Sequence, residues 1–448
     1  MILEPKPGEA GQLNETIGVV GGGMLGMALA LRLAEGGREV TIVETADELG
    51  GLAAPWEIGG VRWDKHYHVI LSSDLRTRDL LARLGLEREL VFSEPQTGFY
   101  IAGALHPMNG LLDFLRFPSL GPLDKLRLGL TVLYASRIKD GRPLESVPVG
   151  TWLRRWSGRR AYERVWLPLL RAKLGERHRE ASATFIWAII VRLYAARKLG
   201  LGRERFGYVP GGYGRILTEL ERALREAGVR VLTGTPVSAV RPRGSRIEIG
   251  SGRESWIFDR AVVTLPSTLA AQVCEGLSSD ERMRLTSKRY QGIICVSMLL
   301  EQPLGSYYVT NIADGSVPFS AVIDMSAVVD RSAFGGHALV YLPKYVAPDD
   351  PLFTADDASI ESSFVAALER MYRDFRRSDI RAVRISRVKE VFPIATLRYS
   401  DTLPPFASSV EGLFLAGSAH LVNGTLNVNE TLGVAQRAAD ALFEVTPR

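Results

Sequence analysis

The sequence predicts an α/β fold of two domains, and three observations predict it. The first is the stretch "TIGVVGGGMLGMALALRLAEGGREVTIVE", in which a β-branched run ends in glycines, a helically spaced apolar run follows to a Gly stop, and a second buried strand closes a βαβ unit. The second is the return of short buried strands much later, at "RAVVTLP" and "GLFLAGS". The third is a contrast between the intervening regions, since residues from about 110 to 202 read as basic helices and those from about 267 to 391 as strands with one helix.

Within the βαβ unit, Gly21-x-Gly23-x-x-Gly26 sits between strand and helix. The first glycine permits the tight turn, the second lets a pyrophosphate approach the backbone, and the third lets helix and strand pack closely. The helix N-terminus faces the phosphates with free N–H groups. Glu44 ends the second strand, 18 residues after Gly26. A carboxylate there accepts ribose hydroxyls and repels a 2′-phosphate, so the loop is a Rossmann-type dinucleotide site that disfavours NADP.

The chain has 448 residues, 46% hydrophobic and 23% charged, enough for two cores and too mixed for disorder. Cys274 and Cys295 lack CxxC spacing and a clustered histidine, which argues against a disulfide framework and a metal site. The opening "MILEPKPGEAGQLNET" lacks the pattern of a secretory signal and reads as a short mobile tail, so a cytoplasmic protein is expected. The most apolar helix, from Phe185, has seven apolar residues before Arg192, against roughly 20 for a membrane span.

Charge is unevenly spread. Residues 116–205 carry 20 Lys and Arg against 7 Asp and Glu, while the whole chain has a net charge of +5. This basic region reads as solvated helix faces, as attraction for a phosphate-bearing substrate, or as peripheral contact of residues 110–202 with an anionic inner membrane surface. No nucleic-acid module is recognisable, so nucleic acid is not an expected partner.

Beyond the first unit, "ETADELGGLAA" places Gly50-Gly51 six residues after Glu44, "GYVPGGYGRILTELERALREAGVRVLTGTPVSAV" has a glycine pair before a helix and strand, and "EGLFLAGSAHLVNGTLNVNETLGVAQRAADAL" has a glycine-ended strand before a capped helix. These three blocks resemble the FAD-binding flavin amine oxidase superfamily, which includes monoamine oxidases, protoporphyrinogen oxidases, phytoene desaturases and UDP-galactopyranose mutases. The resemblance implies a GR2-like FAD-binding domain in three pieces, 15–100, 206–266 and 392–446, with a discontinuous α+β substrate domain at 101–205 and 267–391. It implies that Gly50 and Gly51 lie against the pyrophosphate and flavin, that Val237 meets the adenine by its backbone, and that Gly417 and Ser418 meet the ribityl chain. The usual acidic residue of the closing strand is replaced by Ser418, and the glycine of the closing helix by "NVNE". Asn427 and Asn429 there either only cap the helix or also bring amides to the flavin pyrimidine. Neither cysteine fits the cysteinyl-flavin position, so the resemblance implies non-covalent FAD.

The substrate side is less marked. His66 and His68 alternate with Tyr67, so a strand would put both imidazoles on one face. They read as proton-transfer groups beside the flavin or as histidines packed under the sheet. His420 follows the closing strand and is a further candidate. Trp63, Tyr67, Tyr208 and Tyr213 read as pocket walls or core. With no nucleophile elbow, Walker loop or second dinucleotide loop, the resemblance implies that the flavin carries the chemistry. The expected activity is oxidation or desaturation of a largely apolar, lipid-linked or anionic molecule by hydride transfer to flavin N5. The alternative is redox-neutral chemistry on a nucleotide sugar, as in UDP-galactopyranose mutases.

Overall fold

In this computed structural model, residues 15–195, 205–252, 254–422 and 425–444 are described. The expected N-terminal tail falls, up to Asn14, outside them. Strand β1 (Thr16–Val20) leads through helix α1 (Met24–Glu35) to strand β2 (Glu39–Val43), which pairs with β1 in parallel. The apolar spacing of "MLGMALALRLAE" turns Leu29 and Leu33 fully inward, a burial worth about 1.5–3 kcal/mol for each such side chain. Strands Arg230–Leu232, Arg260–Val263 and Leu413–Leu415 complete a five-stranded parallel sheet, with β1 at its centre. A parallel sheet needs crossovers. Residues separated by more than 200 positions therefore pair side by side, Val20 with Val263 for example.

A second, seven-stranded sheet is ordered Ile380–Pro393, Tyr290–Leu300, Ala338–Val346, Ala321–Asp324, Tyr307–Ile312, Gln96–Ile101, Ala104–Pro107. Helix Asp357–Met371 covers one face with Ile360, Phe364 and Leu368. Against the end of this sheet stand helices Pro122–Arg137, Val149–Ser157, Leu167–Leu174 and Ala183–Ala195, whose core includes Trp152, Leu153, Leu170 and Phe185.

Two expectations change here. Strand Gln96–Ile101 pairs with Tyr307–Ile312, so the last residues of the segment 15–100 belong to the seven-stranded sheet. Its alternation with "LHPM" fixes the hairpin, but only long-range pairing fixes the sheet it joins. The expected strand through His66–His68 is interrupted: strand Val61–Asp64 ends, residues 65–69 run as loop, and a two-residue strand Ile70–Leu71 follows.

Candidate functional site

A cavity of about 740 Å³ runs from the carboxyl ends of the parallel strands to the seven-stranded sheet and helix Leu167–Leu174. One end is built of backbone. Gly21 has φ +103° and Gly50 φ +114°, conformations that favour glycine. A Cβ on Gly26 would come to 1.9 Å from the Gly21 carbonyl oxygen, so helix and strand meet only because it is absent. A Cβ on Gly23 would meet nothing, because Gly23 faces the open cavity, and one on Gly51 would come to 3.2 Å from the Gly23 Cα. Gly50 N–H donates to the Gly22 carbonyl at 2.8 Å, tying the two glycine loops together.

Glu44 lines the same end. Its carboxylate accepts from the N–H groups of Gly22 and of Ala46, the latter at 2.8 Å, which orients it toward the cavity and leaves lone pairs on both oxygens. The loop after Leu232 is bound to this corner by Thr235 N–H to the Glu44 carbonyl and Gly234 N–H to the Ala46 carbonyl, both 2.9 Å. Val237 lies just beyond, outside a strand, packed on the neighbouring core and not on the cavity wall. Ser418 and Asn427 line the cavity; Gly417 does not, its Cα instead packing so that a Cβ would meet the Leu265 carbonyl oxygen at 2.5 Å.

The asparagines divide. Asn427 Oδ1 accepts from Glu430 N–H at 3.0 Å and so caps helix Val428–Glu444. Asn429 turns away, and its Oδ1 accepts from Arg76 N–H at 2.9 Å at the start of helix Leu75–Arg83, which corrects its expected place beside the flavin.

The other end is built of side chains from widely separated segments. His66, Tyr67, His68 and Tyr213 line it, as do Lys173, Arg192, Tyr308, Asn311, Ser320, Tyr345 and Glu390 among apolar neighbours. His66 and His68 face the cavity from a loop. Burial first, then the charges of His68 and Lys65, push the His66 pKa down to about 3; burial pushes His68 down to about 4. Asp64, 3.9 Å from His68 Nδ1, is pushed up by burial to about 8, although Tyr213 N–H donates to it at 2.8 Å. Burial therefore favours the uncharged form of both partners. The expected imidazole titration near neutral pH does not apply. His66 Nδ1 and His68 Nδ1 are buried without a hydrogen-bond partner among the described residues.

Three further candidates leave the site. His420 does not line the cavity. Gly417 N–H donates to its Nδ1 at 3.2 Å, its Nε2 donates to the Pro404 carbonyl at 3.1 Å, and its ring stacks on Phe406 with centroids 4.5 Å apart. It is a core histidine, held neutral by burial with its pKa near 4. Trp63 packs edge-on against Phe334, and Tyr208 packs in the same core.

Sequence reasoning missed Lys173, Arg192, Tyr345, Asn311 and Glu390. Arg192 carried a signal, as a lone cation in "FIWAIIVRLYAA". Lys173 carried none, being one of 20 cations in its region.

The glycine cradle, the open space at Gly23, an α1 N-terminus without a side-chain cap among the described residues and the oriented Glu44 fit a dinucleotide, and a larger chamber adjoins them. Residues 25–443 match the sequence profile described as flavin containing amine oxidoreductase. The chain belongs to that family.

Among curated relatives, zeta-carotene desaturase of Arabidopsis thaliana is 26% identical over 191 residues, 37% of this chain and 34% of that protein. Phytoene dehydrogenase of Streptomyces griseus is 45% identical over 67 residues, 15% of this chain and 13% of that protein. The matches to zeta-carotene desaturases span only 34% and 42% of those proteins. Among solved structures, a protein from Exiguobacterium sp. 255-15, provisionally named protoporphyrinogen oxidase, superposes with TM-score 0.76 at 19% identity, covering 97% of this chain and 100% of that one. Reduced UDP-galactopyranose mutase gives 0.73 at 15% identity, covering 97% of each. Cyclohexylamine oxidase from Brevibacterium oxydans IH-35A gives 0.68 at 18%, covering 96% and 99%. At these identities the likeness establishes the fold. What the comparisons show is the family and the fold, and no described helix is long and apolar enough to cross a membrane.

Proposed function

We propose that this chain binds FAD without a covalent bond and oxidises or desaturates a largely apolar molecule at a C–H bond. The observation that carries it is a single cavity joining the glycine cradle to a chamber walled by Leu169, Phe206, Ile293, Ile323 and Val391. When bound, the flavin supplies a two-electron acceptor for a substrate hydride. The chain's own residues bind and exclude water: Gly21, Gly23, Gly50, Gly51 and Glu44 hold the ADP half, Ser418 and Asn427 border the flavin half, and the neutral His66 and His68 offer fixed dipoles to the ring or substrate. Cys274 and Cys295 are buried away from the cavity, and burial pushes the Cys274 thiol up to about 12 and Cys295 higher still, which supports non-covalent attachment.

The visible spectrum of the purified protein, recorded anaerobically, tests this reading. Bleaching of the flavin band by a lipid extract is the expected result. A band that stays oxidised with the extract, with turnover of UDP-sugars appearing only after chemical reduction, would replace it with the redox-neutral alternative.

The approach of such a substrate involves the helical layer. Leu123, Leu126 and Leu130 lie on one face of helix Pro122–Arg137 and are 69%, 60% and 55% exposed, with Leu112, Leu115, Tyr134 and Trp156 exposed nearby. Arg116, Arg127, Arg137, Arg154 and Arg155 are exposed among them. Apolar side chains ringed by cations complement an anionic bilayer surface. Flotation with vesicles containing anionic lipid, lost on zwitterionic vesicles, is expected; equal behaviour on both removes the membrane from the scheme.

A further inference from the structure

The cavity holds two cations in opposite circumstances. Arg192 is paired with Asp74, donating from Nε to Oδ1 at 3.2 Å and from Nη2 to Oδ2 at 2.9 Å. Lys173 has no carboxylate within 4.0 Å and no hydrogen-bond partner among the described residues, and its Nζ sits 3.6 Å from the centre of the Tyr345 ring. The remaining carboxylate on this wall, Glu390, accepts from the Thr268 hydroxyl. Lys173 is half-buried; withdrawing an ammonium even partly from water without a counter-ion is costly, and a cation–π contact returns only part of that cost. Burial accordingly pushes the Lys173 pKa down.

Beside Lys173, the hydroxyls of Tyr67 and Tyr345 bond to each other. One phenol must donate to the other, so one of the two O–H groups has no acceptor among the described residues and is available to a ligand. An unpaired ammonium and a free O–H on an apolar wall are both donors, and together they ask for an acceptor that carries charge.

We infer that Lys173, with the Tyr67–Tyr345 pair, binds a single anionic oxygen group of the charge and size of a carboxylate, borne by an otherwise apolar substrate. This assignment rests on the oxidation of an apolar molecule proposed above and adds the group by which that molecule is held. It separates the substrate from two kinds suggested by the names of related proteins. A pure hydrocarbon offers nothing to Lys173, and an alkylammonium is repelled by it.

The test is calorimetric binding of three probes of equal chain length, dodecanoate, dodecanol and dodecylamine, to the flavin-loaded protein. We expect dodecanoate to bind at least tenfold more tightly than either of the others. In Lys173→Met, dodecanoate should lose at least tenfold while dodecanol is unchanged. Lys173→Arg should restore the preference, and Tyr67→Phe should weaken dodecanoate by a smaller factor. Equal binding of dodecanoate and dodecanol by the wild type overturns the assignment even if Lys173→Met does not fold, as does an intact preference in a folded Lys173→Met. Tighter binding of dodecylamine would instead assign the subsite to Glu390. Because binding is read without turnover, failure here is distinct from failure of the flavin band to bleach.

Discussion

The two ends of the cavity are built from different material. The glycine end is built largely of backbone, with Gly21, Gly23, Gly50 and Gly51 presenting main chain beside the oriented side chain of Glu44. The other end is made of side chains delivered by a loop at 66–68, helix Leu167–Leu174, helix Ala183–Ala195 and strands Tyr307–Ile312 and Ala338–Val346. Backbone sites require particular residues at fixed spacing, because only glycine allows the close approach. Side-chain sites require only that distant segments converge, and many sequences satisfy that.

The difference can be broken by acid. His66, His68 and His420 have folded pKa values of about 3, 4 and 4. Depressed below the ordinary 6.5, they contribute stability that is present above pH 6.5 and lost as pH falls toward 4. Asp64 has the opposite sign, with a folded pKa near 8, and offsets about one histidine. The net loss between pH 7 and pH 4 is on the order of 5 kcal/mol, and thermal melting across that range should show a steep fall. A flat profile would place these imidazoles in water instead of the packed interior.

Gly26→Ala sharpens the contrast from the other side. Its Cβ meets backbone at 1.9 Å, and overpacking of this kind costs about 3 kcal/mol. The expected outcome is a lower melting temperature together with loss of bound flavin. Flavin retained at wild-type occupancy would show that the α1 contact can relax.

Glu44→Ala should act on the ligand more than on the fold. A charge-assisted hydrogen bond contributes about 1.5–3 kcal/mol, so the flavin dissociation constant should rise by about tenfold to a hundredfold. Unchanged affinity would move the ribose elsewhere, and an equal fall in melting temperature of the flavin-free protein would assign Glu44 to holding Gly22 and Ala46.

Legibility in the sequence followed the same division. The βαβ unit, the glycine spacing and the closing helix were all readable, because each depends on local φ/ψ or on periodicity. The strand through His66–His68 was misplaced, since alternation of His-Tyr-His over three residues does not distinguish strand from extended loop. His420 looked functional by its position after the closing strand, yet the Pro404 carbonyl and Phe406 claim its ring, and no local pattern announces such a partner.

The sequence by itself determined the α/β class, the glycine-rich turn between strand and helix, and the family, because these rest on residues at fixed spacing. Tertiary structure alone decided that Lys173 lies uncompensated against Tyr345, that Arg192 is neutralised by Asp74, and that Asn429 serves helix Leu75–Arg83. Those outcomes depend on which charges come within a few ångströms of one another after 100 or more intervening residues have folded. Burial and pairing belong to that arrangement, and no stretch of chain carries them in advance.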